Sequence, residues 1–133
     1  MPRSVKIPLA TLLVGSLLQM GTAGELARRV NPFVGTDGHG HTFPGATVPF
    51  GMVQLSPDTR IEGWDACAGY HYSDSLILGF SHTHLSGTGV ADYGDILLAP
   101  GVGAFRPHAS RINHRSEQAS PGYYQVMLDG NIN

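Results

Sequence analysis

The sequence predicts an all-β fold, an antiparallel β-sandwich that is incomplete at its C-terminal end. The composition is the first observation: the chain has 18 glycines and 9 prolines but only 14% charged residues, which favours strands and turns over surface helices. The second is that apolar runs are short and end at turn residues, as in sandwiches. The third is the length of 133 residues, which allows one domain.

The N-terminal segment predicts a secretory signal peptide. Arg3 and Lys6 form a basic start, residues 7–18 are almost entirely apolar, and small residues follow before the predicted cleavage point. The apolar run is shorter than the roughly 20 residues of a membrane-spanning helix. We therefore expect residues 1–24 to be a leader and residues 25–133 to form the partial β-domain. The protein is expected to be exported, to the periplasm or the extracellular space.

The first half of the predicted domain is mostly loop. Residues 25–30 predict a helical turn that stops at an Asn-Pro pair, and residues 33–49, with four glycines, predict a loop. Residues 52–56 alternate in polarity and predict a half-buried strand that ends before Pro57. Residues 60–74 are polar and aromatic and predict a second loop or a short strand.

The second half carries more strands. Residues 76–80 are a continuous apolar run and predict one buried strand, and residues 96–99 predict another. Residues 111–119 and 123–128 predict an antiparallel hairpin around Ser120-Pro121-Gly122. The chain then ends just after a further turn signal, which leaves a sheet edge unpaired. We therefore expect a truncated piece of a longer protein.

Charge and cysteine usage exclude several classes of protein. The formal net charge is −2, and mild acidity argues against a nucleic-acid partner. Cys67 is the single cysteine, so no intrachain disulfide can staple the fold. A lone thiol is most often a small buried residue. A reactive nucleophile is the alternative, although the sequence offers no base that can be assigned to it.

Histidine is the unusual residue type, with 7 in the chain. Two H-x-H pairs occur, His39 with His41 and His82 with His84. Residues two apart on a strand point the same way, so His82 and His84 could present two imidazoles to one ligand such as zinc or copper. Hydrogen bonding to loop backbone, or contact with a sugar or partner domain, is the preferred interpretation because no complete ligand set has a recognised spacing. We therefore predict no metal ligands in this chain.

Other chemical signals are weak. Any two of the 10 acidic residues could form a catalytic pair, since sequence does not fix their separation; most acids in turns cap backbone groups instead. The aromatic residues Trp64, Tyr70 and Tyr72 could stack on a sugar ring or simply pack. No P-loop, dinucleotide-binding fingerprint, EF-hand loop or nucleophile elbow is present.

A series of motifs resembles the N-terminal domain of glycoside hydrolase family 92. The series consists of VNPFVGT at residues 30–36, GHGHTFPGATVPFGM at 38–52, QLSPDT at 54–59, GYHYSD at 69–74, GFSHTHLSGTG at 79–89, GDIL at 94–97 and SPGYY at 120–124. The likeness is nearly continuous from residue 30 to residue 128. Several motifs in order make it far more specific than any single one.

The resemblance implies a concrete function. Members of the family look like exported, calcium-dependent exo-α-mannosidases that invert anomeric configuration and act on mannose-containing glycans. Their N-terminal β-sandwich is followed by a larger (α/α)6 barrel, and the active site lies where the two meet. The acid and base carboxylates and most calcium ligands belong to the barrel. We therefore expect no catalytic residue in this chain and no activity from it alone.

The resemblance implies that this chain forms part of the wall of the mannose pocket. Trp64 would offer an apolar face and Asp65 a hydrogen-bond acceptor, while His82 and His84 would meet the sugar or the barrel. Cys67 belongs to the same predicted group of substrate-binding residues. The alternative is a secreted carbohydrate- or metal-binding module that stands alone, which the coding sequence downstream of Asn133 would distinguish.

Overall fold

The computed structural model describes residues 24–47, 50–87, 89–90, 94, 96–101, 103–104 and 109–129. The chain divides into two compact units, residues 1–30 and residues 31–133. In the first unit, residues 24–27 form one helical turn, and an exposed ion pair joins Arg29 to Glu25 at 3.3 Å. The helical turn predicted at residues 25–30 is therefore confirmed. Of the predicted leader, residues 1–23 lie outside the described residues.

Short antiparallel strands build the second unit. They are β1 (Ser56–Asp58), β2 (Leu76–Ile77), β3 (Gly79–Ser81), β4 (Leu97–Leu98), β5 (Ser110–Ile112), β6 (Gln118–Ser120), β7 (Tyr123–Gln125) and β8 (Leu128–Asp129). They form two three-stranded sheets, ordered β1-β3-β4 and β2-β5-β8, and a hairpin of β6 with β7. The predicted all-β, antiparallel architecture is confirmed. In the described ranges, no helix has the length and apolar character needed to cross a bilayer.

Leu78 marks the point where the chain leaves one sheet and enters the other. Before it, β2 pairs with β5; after it, β3 pairs with β1 and β4. The N–H of Leu78 donates to the carbonyl of Asp58 at 2.7 Å. The prediction of one strand over residues 76–80 is therefore wrong. An apolar run indicates burial, but it does not indicate which neighbours each residue pairs with.

Strand β1 begins later than predicted and includes the proline that was expected to end it. Met52 is 89% and Val53 55% exposed, so the alternating pattern at residues 52–56 does not mark a half-buried strand. Among the described strands, β1 pairs only with β3. Strands at a sheet edge tolerate proline because its missing N–H interrupts no ladder there.

The predicted turn of the C-terminal hairpin is confirmed. Ser120 pairs with Tyr123 across Pro121-Gly122. Gly122 has φ +77°, the positive value that the second central residue of a type II turn requires after a proline.

The strand predicted before this turn is shorter than expected. The 3₁₀ helix His114–Ser116 separates β5 from β6. Asn113 precedes it and accepts a hydrogen bond from the N–H of Arg115 at 3.0 Å. Asparagine competes with strand pairing by bonding to nearby backbone in this way, so the prediction of one strand over residues 111–119 is wrong.

The two predicted loops are confirmed over the described residues, and residues 48–49 of the first lie outside them. Residues 33–47 contain one isolated bridge, from Ala46 to Leu55, and residues 60–74 contain only the 3₁₀ helix Trp64–Ala66. The buried apolar residues lie largely at the end of this second loop and in the sheet beside it. They are Ala66, Cys67, Ala68, Tyr70, Ile77 and Ile112.

A buried carboxylate ties the hairpin to this core. The side chain of Glu117 is 1% exposed and accepts hydrogen bonds from Tyr70 at 2.9 Å and Tyr124 at 2.5 Å. His114 Nδ1 lies against the same carboxylate, while its Nε2 lies 2.9 Å from the carbonyl of Asp74. We call Glu117, Tyr70, Tyr124 and His114 the Glu117 cluster. Burial and the nearby carboxylate raise the pKa of both tyrosines, so their hydroxyls stay protonated and donate.

Candidate functional site

A glycine-rich loop, residues 35–42, positions two histidines. The N–H of Thr42 donates to the carbonyl of Gly35 at 3.2 Å and closes the loop. A Cβ on Gly40 would lie 2.0 Å from that carbonyl oxygen, so no larger residue fits there without movement. His41 has φ +53°, a left-handed conformation that is uncommon outside glycine. The tight loop leaves His39 exposed and His41 buried.

These two histidines meet one carboxylate. His39 Nδ1 lies 2.7 Å and His41 Nε2 lies 3.0 Å from the same Oδ1 of Asp65. The side chain of His41 is 7% exposed, that of Asp65 25% and that of His39 77%. We call these three residues the Asp65 cluster. Hydrogen bonds from His39 and His41 hold the pKa of the Asp65 carboxyl below its usual range, so it is charged at neutral pH.

Trp64 stands beside the Asp65 cluster with much of its ring exposed. The 3₁₀ helix Trp64–Ala66 carries both Trp64 and Asp65. The Trp64 ring meets the His41 ring edge-on, with centroids 5.1 Å apart. Gly89 lies so close that a Cβ there would come within 2.1 Å of the indole. Trp64 nevertheless remains 62% exposed. An apolar ring face and a charged carboxylate therefore lie side by side at the surface.

Cys67 lines a small cavity at the end of the same helix. The cavity has a volume of about 150 Å³, and Asp58, Gly69 and His84 contribute to its wall. Cys67 is 2% exposed, and burial raises the pKa of its thiol. A protonated thiol is a weak nucleophile. The structure therefore favours a small buried residue over a reactive nucleophile at Cys67.

His84 is held through both ring nitrogens. Its Nε2 lies 2.9 Å from Asp58 Oδ1 and 3.2 Å from Ser81 Oγ, and its Nδ1 lies 2.6 Å from the carbonyl of Gln54. His82 is half-buried, and its carbonyl accepts the N–H of Gln54 at 2.8 Å. Both histidines follow the end of β3, as predicted, but His84 is buried whereas His82 is half-buried.

The structure sorts the predicted pocket residues into two groups. The exposed Trp64 and the half-buried Asp65 lie beside the first H-x-H pair. Cys67 and His84 instead line the cavity. His82 is not among the described residues that line this cavity. Sequence reasoning missed the convergence of His39 and His41 on Asp65. The H-x-H spacing was the only available signal, and it does not predict which distant carboxylate the two histidines contact.

The fold defines an all-β, antiparallel class of protein, and comparison with known proteins places it among the N-terminal modules of glycosidases. The profile of the glycosyl hydrolase family 92 N-terminal domain matches residues 29–133. A curated relative from Arthroderma benhamiae, described as an uncharacterized secreted glycosidase, is 32% identical over 120 residues, which is 82% of this chain. The chain belongs to glycosyl hydrolase family 92, and residues 29–133 are its N-terminal domain.

Solved structures of family members support the same conclusion. The α-mannosidase from Bacteroides thetaiotaomicron in complex with mannoimidazole matches 77% of this chain with a TM-score of 0.74 and 49% identity. The inverting mannosidase from strain VPI-5482 of that species matches 75% with a TM-score of 0.63 and 33% identity. These matches confirm the β-sandwich class. The chain spans only 15%, 15% and 14% of the lengths of the fungal relative and these two enzymes, respectively.

Proposed function

We propose that this chain is the N-terminal part of an exported, calcium-dependent, inverting exo-α-mannosidase that acts on mannose-containing glycans. Membership of family 92 supports the proposal, as do solved relatives described as an α-mannosidase and an inverting mannosidase. The observation in this chain that carries it is the exposed Trp64 ring next to the charged Asp65 carboxylate. An apolar face beside a hydrogen-bond acceptor suits a sugar ring, which has C–H faces and hydroxyl edges.

The five predicted pocket residues have different proposed roles. Trp64 packs against the sugar ring and Asp65 accepts from a hydroxyl group. Cys67 and His84 shape the cavity that they line. His84 has no such contact with the sugar in this proposal, because both of its ring nitrogens have protein partners. His82, which is half-buried, contacts the sugar or the neighbouring domain.

The catalytic carboxylates and most of the calcium ligands belong, in this proposal, to the (α/α)6 barrel of the longer protein. Calcium takes 6–8 oxygen ligands. Within the described part of this chain, the group that could hold a metal offers two imidazoles and one carboxylate, which does not fit calcium. Inversion needs an acid and a base about 6.5–9.5 Å apart across the scissile bond, and this chain supplies neither in our proposal.

Exposed apolar side chains provide a surface for that barrel. Phe50 is 97% and Met52 89% exposed, and both follow the long loop that carries the H-x-H pair. Large apolar side chains exposed in this way are common where another surface docks. Export is proposed from the leader pattern of residues 1–24 and is supported by the secreted description of the fungal relative.

The test uses the complete product of the gene that encodes this chain. We expect it to release mannose from an aryl α-mannoside, with β-mannose as the first anomer in a proton NMR time course, and to stop when calcium is chelated. Residues 25–133 alone should release none. Absence of mannose release from the folded complete product would contradict the mannosidase assignment and would favour the alternative, a standalone sugar- or metal-binding module.

Variants of the complete product test the pocket residues. Trp64→Ala should lower kcat/KM by about tenfold or more, which corresponds to about 1.4 kcal/mol of lost transition-state binding. Tyr123→Ala is the matched control, an exposed aromatic residue in the C-terminal hairpin. His82→Ala tests the proposed contact of His82 with the sugar or the neighbouring domain. Equal kcat/KM for Trp64→Ala and the control would rule out the proposed role of the indole.

A further inference from the structure

We propose that the Asp65 cluster is a zinc site. His39 Nδ1, His41 Nε2 and a carboxylate oxygen of Asp65 are its three protein ligands, and the fourth position is open beside Trp64. This inference does not depend on the mannosidase proposal, because it concerns metal binding by this chain and involves no glycan.

The ligand atoms are already close to the required spacing. Zinc binds nitrogen and oxygen ligands at about 2.0–2.2 Å in a tetrahedron, which places the ligand atoms about 3.3 Å from one another. The two nitrogen–oxygen distances are 2.7 and 3.0 Å, and all ligand atoms lie within 4.8 Å of one another. Small movements therefore suffice. His39, with its side chain 77% exposed, can make most of them by rotation.

The chemical types of the three ligands indicate which metal the site binds. Imidazole and carboxylate together suit zinc and similar first-row metals, while calcium requires more ligands and prefers oxygen throughout. Three protein ligands and one open position are typical of zinc sites that bind water or substrate.

The loop holds His41 in place before any metal arrives. The carbonyl of His41 accepts the N–H of Gly87 at 2.7 Å, and His71 Nε2 lies 3.0 Å from the carbonyl of Gly38. His41 also keeps a left-handed backbone, φ +53°. Such uncommon conformations persist where the surroundings fix them, and they are frequent at functional sites. One of the three ligands, His41, is thus preorganised.

Zinc binding to the full 133-residue chain tests the proposal. The chain is first dialysed against a chelator and then titrated with zinc by calorimetry and by fluorescence. Trp64 is the single tryptophan and its ring lies 5.1 Å from that of His41, so its emission reports on this site. We expect one zinc per chain, saturable and reversed by EDTA, and no comparable response to calcium. Absence of saturable binding, or an equal calcium response, would overturn the proposal.

Two variants and a control locate the metal. Asp65→Asn and His39→Ala should each weaken zinc binding by at least about tenfold, since losing even an outer-shell partner of a metal weakens binding by about 10–100-fold. Glu62→Gln makes the same change of charge at an exposed residue of the same loop and should bind zinc like the parent chain. Near-UV circular dichroism checks that each variant is folded, and His39→Ala changes a side chain that is mostly in solvent.

The outcomes separate the two proposals. Equal zinc affinity in the parent, Asp65→Asn and His39→Ala chains would place the zinc elsewhere and overturn the site. If Glu62→Gln weakened zinc binding as much as Asp65→Asn does, the effect would come from the loss of any negative charge. That result would also overturn the proposed site. A complete gene product without mannosidase activity would leave the zinc result unaffected, because the binding measurement uses this chain alone.

Discussion

The Glu117 and Asp65 clusters both place histidine against a carboxylate, yet they differ in enclosure. The Glu117 side chain is 1% exposed, and hydroxyl and imidazole groups of the protein surround its carboxylate. The Asp65 side chain is 25% exposed and its partner His39 is 77% exposed. An enclosed and fully bonded polar group stabilises a fold because its loss leaves buried partners unpaired. A half-open cluster contributes little stability but has room for a ligand.

The largest expected effect is the loss of the enclosed carboxylate. Glu117→Ala leaves the buried hydroxyl of Tyr70, the part-buried hydroxyl of Tyr124 and the His114 imidazole without their acceptor. This should lower the free energy of unfolding by about 3 kcal/mol or more. Urea unfolding followed by circular dichroism measures this. Glu62→Ala, at an exposed position, is the control. Similar urea midpoints for the two variants would show that the Glu117 cluster does not hold the fold together.

Removing a single donor from the Glu117 cluster should have a smaller effect. Tyr70→Phe and Tyr124→Phe each delete one hydrogen bond to a charged acceptor, which typically lowers stability by about 1.5–3 kcal/mol. Tyr123→Phe removes a hydroxyl that bonds to Gln125 at the exposed surface and should change the urea midpoint little. Equal urea midpoints for Tyr70→Phe and Tyr123→Phe would show that a buried hydroxyl contributes no more to stability here than an exposed one.

A pH-dependent effect is expected at Asp74, which lies between the two extremes of exposure. Burial alone would raise the pKa of Asp74, but hydrogen bonds from Arg60 and Thr59, with the charge of Arg60, bring it below its ordinary value of 3.8. A lowered pKa gives stability that is present above about pH 4 and is lost as the pH falls through the folded-state value. Asp74→Asn should therefore lower stability by about 1 kcal/mol at pH 7.

The difference between Asp74→Asn and the parent chain should disappear as the pH falls below about 4. Urea midpoints measured from pH 7 to pH 2.5 follow it. A difference that stayed constant over this range would assign the effect to packing and not to the ion pair with Arg60.

The smallest effect on stability is expected at the open cluster. Asp65→Asn should move the urea midpoint less than Asp74→Asn does, although it should remove most of the zinc affinity. The two histidines lower the pKa of Asp65. Any loss of stability in Asp65→Asn should therefore be confined to pH values above about 4. A midpoint shift as large as that of Glu117→Ala would remove the contrast between the two clusters.

The sequence predicted what is local. The turn at Pro121-Gly122 follows from the proline φ and the positive φ that glycine accepts, and the two loops follow from glycine content and polarity. The family was also predictable, because its motifs run in order along most of the chain. These features depend on neighbouring residues or on direct comparison of residue order.

The remaining features depend on contacts between distant segments. Nothing in residues 35–42 indicates that His39 will meet Asp65, since the contact requires two loops to fold against each other. The pairing of His84 with Asp58 is similar: an H-x-H spacing predicts imidazoles that could share a ligand, whereas here one ring nitrogen bonds a buried carboxylate. The break at Leu78 escaped prediction because both halves of the run have the same hydropathy.

Leu78 also couples the register of the two sheets. Since a single residue joins β2 to β3, a one-residue slip of β2 against β5 would have to be taken up by Leu78 or passed to β3 against β1 and β4. Such a slip would bring a side chain to the place of Gly79, where even a Cβ would lie 2.8 Å from Leu97 Cγ. One glycine thus opposes misalignment in both sheets at once, although it pairs in only one of them.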